Sequence, residues 1–146
     1  MLKGIPKILS PELLKVLAEM GHSDRLVISD GNFPAESMGK DAIVIRCDGH
    51  GVPELLDAIL QVFPLDTYVE HPVNLMEVMP GDDVETPIWD TYKEIIRKYV
   101  DRGDAVVGNI ERFAFYEEAK KVYAIIATGE SALYANIMLQ KGVVTE

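Results

Sequence analysis

Apolar positions along the chain switch between two periods. Leu13, Leu14, Leu17 and Met20 recur at helical spacing, whereas 25–29 and 42–47 are short, nearly continuous apolar runs. The first pattern predicts an amphipathic helix and the second predicts buried strands. Ser10 is a suitable N-cap, Pro11 fits the first helical position, and Glu12 complements the dipole. Gly21 supplies a natural stop. Gly31, Pro34 and Gly39 predict a loop over 31–41, and Asp48-Gly49-His50-Gly51 reads as a turn.

Pro53 opens a second helix with Leu55, Leu56, Ile59 and Leu60 turned inward. A strand is predicted at 73–79, followed by an acidic loop at Gly81-Asp82-Asp83. Thr86-Pro87 starts a third helix whose Ile88, Tyr92, Ile95, Ile96 and Tyr99 share a face, and Gly103 ends it. The remaining elements are a strand at 105–108, a helix at 111–121, a strand at 122–127 broken by Gly129, and a last strand at 136–139. Helices alternating with hydrophobic strands predict one α/β domain over 1–146, with helices on both sheet faces. The pattern leaves the strand order open.

The formal net charge is −10, from 24 acidic against 14 basic residues. Such a surface repels phosphate backbones, so no nucleic-acid partner is expected, and a small neutral ligand is not excluded. Cys47 is the one cysteine, which rules out an internal disulfide. Its neighbours Ile43, Val44 and Ile45 predict a buried core thiol. The first seven residues lack a signal-peptide apolar core, and no apolar run approaches the roughly 20 residues of a membrane span. The chain reads as soluble and cytoplasmic, with no membrane partner.

Several catalytic motifs are absent: Gly-x-x-x-x-Gly-Lys, Gly-x-Gly-x-x-Gly and Gly-x-Ser-x-Gly. His22, His50 and His71 lack metal-ligand spacing, so no metal or cofactor is predicted. Polar residues do gather where predicted elements end. His22 lies just past the first helix, and Asp30 closes the next strand. An imidazole exchanges protons near neutrality, and a nearby carboxylate would fix its tautomer. On pattern alone the plainer reading of His22 prevails, a helix-end histidine favoured by the dipole.

Arg112, Phe113, Phe115 and Tyr116 put a cation and three aromatics within five residues, and Arg112 and Tyr116 share a helix face. That set suits a polyhydroxyl ligand, while a surface arginine over packed aromatics explains it as well. Tyr134 and Asn136 offer hydrogen-bonding groups near a strand mouth, or a turn in which Asn136 bonds to local backbone.

The segment from Glu12 to His22 closely resembles the N-terminal segment of the L-fucose mutarotase family, which includes the D-ribose pyranases. The resemblance continues through Ser29-Asp30-Gly31-Asn32-Phe33-Pro34, Arg112-Phe113-Ala114-Phe115-Tyr116-Glu117, Thr128-Gly129-Glu130, Tyr134-Ala135-Asn136-Ile137 and Lys141-Gly142-Val143. It implies an α/β fold with a mixed sheet and the interconversion of sugar anomers without cofactor, metal or covalent intermediate. It also implies a catalytic His22, sugar binding by Asp30 and Arg112, and a binding Tyr-x-Asn at Tyr134, Ala135 and Asn136. The same resemblance implies rings, often pentamers stacked into decamers, with sites formed between neighbours. The Arg-Phe-Ala-Phe-Tyr segment favours the L-fucose branch, whereas Ala135 is what ribose pyranases tend to carry.

The chemistry fits this inventory. Anomer exchange opens a hemiacetal, which already happens slowly in water, so general acid–base help of roughly 10² to 10⁴ suffices. His22 is expected to shuttle the proton, with Asp30 holding hydroxyls or orienting the imidazole. Tyr116 is expected to line the pocket or assist proton transfer. Phe113 or Phe115 is expected against the methyl of a 6-deoxy sugar. Competing expectations are a D-ribose pyranase and a non-catalytic sugar-binding protein.

Overall fold

The computed structural model describes all 146 residues. Helix α1 (Pro11–Glu19) is capped as predicted, the Leu13 N–H donating to Ser10 Oγ at 3.1 Å. Its end differs from expectation. Met20 is already extended, and Gly21 is not left-handed; its N–H donates to the Asp24 carboxylate at 2.7 Å. The left-handed residue of this turn is Ser23, at φ 71°. The carboxylate takes over the stop that a glycine usually provides.

Strand β1 (Arg25–Ser29) follows, then a one-turn helix α2 (Ala35–Met38) inside the predicted loop, and β2 (Ile43–Cys47). Next come α3 (Val52–Leu60), β3 (Val73–Met76) and α4 (Pro87–Arg97). A 3-10 turn (Gly103–Val106) leads into β4 (Val107–Ile110), so this strand starts later than the apolar run predicts. The chain ends with α5 (Arg112–Ala119), β5 (Ala124–Thr128) and β6 (Ile137–Gln140). Strand β3 is shorter than predicted: the Glu77 N–H makes a last bond to Ile110, and Pro80 and Gly81 then turn the chain away.

The sheet order is β2-β5-β1-β6-β3-β4. All pairings are parallel except those of β6, which runs antiparallel to both β1 and β3. This is a single-domain mixed α/β fold. Alternating residues of β1 face opposite sides, as the strand repeat demands. Leu26 and Ile28 join a core with α1, α3 and α4, whereas Val27 joins a smaller core with Phe33, Phe115 and Ala119. Both sheet faces are thus covered, and ligand access is left to the strand ends. Cys47 is only half-buried against the larger core; burial, helped by the charges of Asp48 and Glu12, pushes its thiol up. No helix is long and apolar enough to cross a membrane.

Candidate functional site

The candidate residues fall at the sheet edge where β1, β3 and β4 end and β6 begins. Asp30 directly follows β1. Arg112 opens α5, whose N-cap Glu111 accepts the N–H groups of Phe113 and Ala114 at 3.0 Å each. Tyr134 and Asn136 lead into β6. These elements enclose a cavity of about 310 Å³ lined by Asp30, Arg112, Tyr116, Tyr134 and Asn136, with Asp82 at its rim. Phe33, Met76, Val84 and Leu133 supply apolar walls. A larger hollow of about 500 Å³ lies under the N-terminal segment, but mainly apolar side chains line it and Lys7 is its one charged side chain. Convergent polar groups single out the smaller cavity.

Asp30 is 8% exposed. Burial pushes its carboxyl above the ordinary range, against the N–H groups of Asn32, Phe33 and Ala135, while the Glu130 charge adds to the rise. Its own N–H donates to Asn136 Oδ1 at 2.8 Å, which fixes the orientation of that amide. The guanidinium of Arg112 lies 5.6 Å from the Tyr116 ring centre and 5.7 Å from that of Phe113. Its Nη1 meets Met79 Sδ at 3.0 Å, and no carboxylate pairs with it. The cavity therefore holds a buried carboxylate and an unpaired cation a few side chains apart. Tyr134 donates to the Asp82 carboxylate, which raises the phenol's pKa, and its oxygen accepts the Met79 N–H at 3.3 Å.

Two of the sequence candidates stand apart. Ala135 is fully buried and does not line the cavity; it contributes backbone alone. His22 lies before β1, whereas Asp30 lies after it, so about five strand residues, roughly 15 Å, separate the two within one chain. The imidazole faces a different carboxylate: Nε2 is 3.1 Å from Asp66 Oδ1. Asp66 also accepts the Tyr68 N–H at 3.0 Å and the Gln140 amide at 2.9 Å. Burial opposes its ionisation, but these three donors together hold the Asp66 carboxyl below the usual range. The His22 side chain remains 45% exposed, beside the Tyr68 ring at 5.2 Å.

Sequence reasoning also missed Asp66, Asp82 and the apolar walls. An aspartate set next to Leu65 in an apolar stretch is the sign that would have flagged Asp66. Phe113 and Phe115, expected against a sugar methyl, are not in the cavity: Phe113 is 60% exposed and Phe115 fully buried. The short α5 turns one outward and the other into the smaller core. No cluster of three or more metal-ligating side chains is present.

Fold and cavity together define a class: a small α/β protein that presents convergent hydrogen-bonding groups at the mouth of a mixed sheet. The chain belongs to the RbsD / FucU transport protein family, whose profile matches residues 3–144. It is 51% identical over 148 residues to the human fucose mutarotase, covering 97% of this chain and 94% of that protein. Its fold superposes with a TM-score of 0.97 on FucU from Bifidobacterium longum, at 66% identity over 98% of this chain and all of that one. The fucose mutarotase of Streptococcus pneumoniae in complex with L-fucose gives a TM-score of 0.91 at 50% identity, covering 99% of this chain and 100% of that chain.

Proposed function

We propose that this protein is an L-fucose mutarotase that opens and recloses the pyranose ring by proton transfer at His22. The observation that carries the reading is the cavity itself, where a buried carboxylate, a guanidinium with no carboxylate partner, two phenols and an amide converge on a space fit for a monosaccharide. Half or more of the residues are shared with the human and streptococcal fucose mutarotases, which supports the choice of sugar. Phe33, Met76, Val84 and Leu133 suit the methyl of a 6-deoxy sugar better than a hydroxymethyl group.

Ring opening needs a proton on the ring oxygen and the loss of one from the anomeric hydroxyl. As the bond between the anomeric carbon and the ring oxygen breaks, the anomeric carbon becomes an aldehyde. The aldehyde rotates and the ring hydroxyl adds to its other face, with the protons returned. His22 relays the proton, and Asp66 holds the imidazole in one tautomer through Nε2. Asp30, Arg112, Tyr134 and Asn136 grip hydroxyls, and the backbone at Ala135 keeps Asp30 and Asn136 in register. Tyr116 lines the pocket beneath Arg112.

Because His22 and Asp30 lie at opposite ends of β1, a single chain does not bring them to one sugar. The His22 end of one protomer therefore docks on the Asp30 end of the next. Such a head-to-tail contact closes as a ring when the rotation allows. A pentameric ring, stacked into a decamer in the cytoplasm, is the assembly proposed. The functional test is saturation-transfer NMR between L-fucose anomers, with D-ribose as comparison. Rapid exchange that falls by on the order of 10² to 10⁴ in His22→Ala supports the reading. Tight L-fucose binding without faster exchange in the unaltered chain contradicts it and leaves a sugar-binding protein, and preferential ring-form exchange of ribose leaves a pyranase.

A further inference from the structure

The conformation of Tyr134 needs an explanation that the cavity does not provide. Its φ is 54°, a left-handed backbone that strains a tyrosine and persists only where neighbours impose it. Two donors from α4 meet the backbone at this point. Trp89 Nε1 donates to the Tyr134 carbonyl at 2.8 Å, and the Tyr92 hydroxyl donates to the Ala135 carbonyl at 2.7 Å. The two side chains are three residues apart and share a helix face. Tyr92 is 1% exposed, and burial, with the charges of Glu130 and Asp30, pushes its phenol well up, so it stays a donor.

We propose that Trp89 and Tyr92 are positioning residues of the cavity: they pin two successive carbonyls, hold Tyr134 left-handed, and thereby aim its phenol. Neither residue touches the sugar in this arrangement; both act through the 134–136 segment. The consequence reaches past Tyr134. Its hydroxyl accepts the Met79 N–H and donates to Asp82, so the loop between β3 and α4 is tied to the same pinned backbone. Helix α4 thus sets the position of the cavity rim from behind. The sugar itself rests on the mutarotase reading, but the pinning does not.

Amide hydrogen exchange on the full chain, without sugar, tests the pinning. In Trp89→Phe the Met79 amide is expected to exchange about tenfold faster, while Ile28 and Ile125 in the central strands keep their protection. Unchanged Met79 exchange overturns the proposal, and so does equal acceleration in the strands, which marks a general loss of stability. Tyr92→Phe is read in the same way if Trp89→Phe does not fold.

Calorimetric titration with L-fucose tests the consequence. Trp89→Phe is expected to weaken binding by roughly ten- to a hundredfold. In a Tyr134→Ala background the same change is expected to cost under about threefold, since the side chain it aims is gone. Additive losses overturn the proposal. If the unaltered chain neither binds L-fucose nor speeds its exchange, the mutarotase reading falls, and the Met79 result still decides the pinning.

Discussion

Asp30 places a carboxyl where burial resists its ionisation. Burial raises its pKa, so the folded state binds the proton more firmly than the unfolded chain. Its contribution to stability is complete below the ordinary carboxylate range and is lost as pH rises through the raised value. Asp30→Asn removes that loss while keeping an acceptor for the Asn32 N–H. The variant is expected to melt higher than the parent at neutral pH, with the gap closing in acid, in thermal scans across a pH series. The same variant is expected to bind L-fucose roughly ten- to a hundredfold more weakly, by calorimetry. Asp66 has the opposite sign. Its lowered pKa gives stability that is present above the ordinary range and lost as pH falls through the lowered value. Asp66→Asn is therefore expected to destabilise at neutral pH and to cost nothing once the parent carboxyl is protonated, in the same scans. At this scale Asp30, Arg112 and Tyr134 were legible because their motifs resemble a family's. Asp66 was not, since its importance lies in a contact 44 positions away in sequence. Nor was the left-handed Tyr134, because only glycine advertises that backbone in a sequence.

At the scale of elements, most strands and helices were legible because their apolar periods are clean. The ends were less so. Met20 leaves α1 extended under the control of Asp24, and β3 stops where Glu77 makes its last bond, both tertiary effects. The loop after β5 owes its place to a close approach: a Cβ at Gly129 would collide with the Asp48 carbonyl oxygen. Gly129→Ala is expected to force the two loops apart and to give a large fall in melting temperature by calorimetry. Helix α5 gives a contrast between two aromatics of one motif. Phe115→Ala, fully buried against Phe33, is expected to cost about 3–5 kcal/mol in denaturant unfolding. Phe113→Ala, which is mostly exposed, is expected to change stability by no more than about 0.5 kcal/mol. Periodicity alone placed both on one helix without saying which was inside.

At the scale of the molecule, the division of labour along β1 is the main feature. One end offers the cavity, and the other offers an imidazole held by Asp66 yet still open to solvent. The resemblance implied shared sites, while the apolar pattern gave no hint of them, because a periodic pattern describes one chain's core and not its neighbours. The proposed head-to-tail assembly makes each site the joint property of two protomers. The most direct measurement is saturation-transfer NMR of L-fucose exchange on oligomers reassembled from an equal mixture of His22→Ala and Arg112→Ala chains, each inactive alone. Sites drawing an intact histidine from one protomer and an intact cavity from the next are expected to restore roughly a quarter of the parent exchange. Exchange that stays at the level of the separate variants would contradict a site shared between chains, and with it the placing of His22 at the sugar.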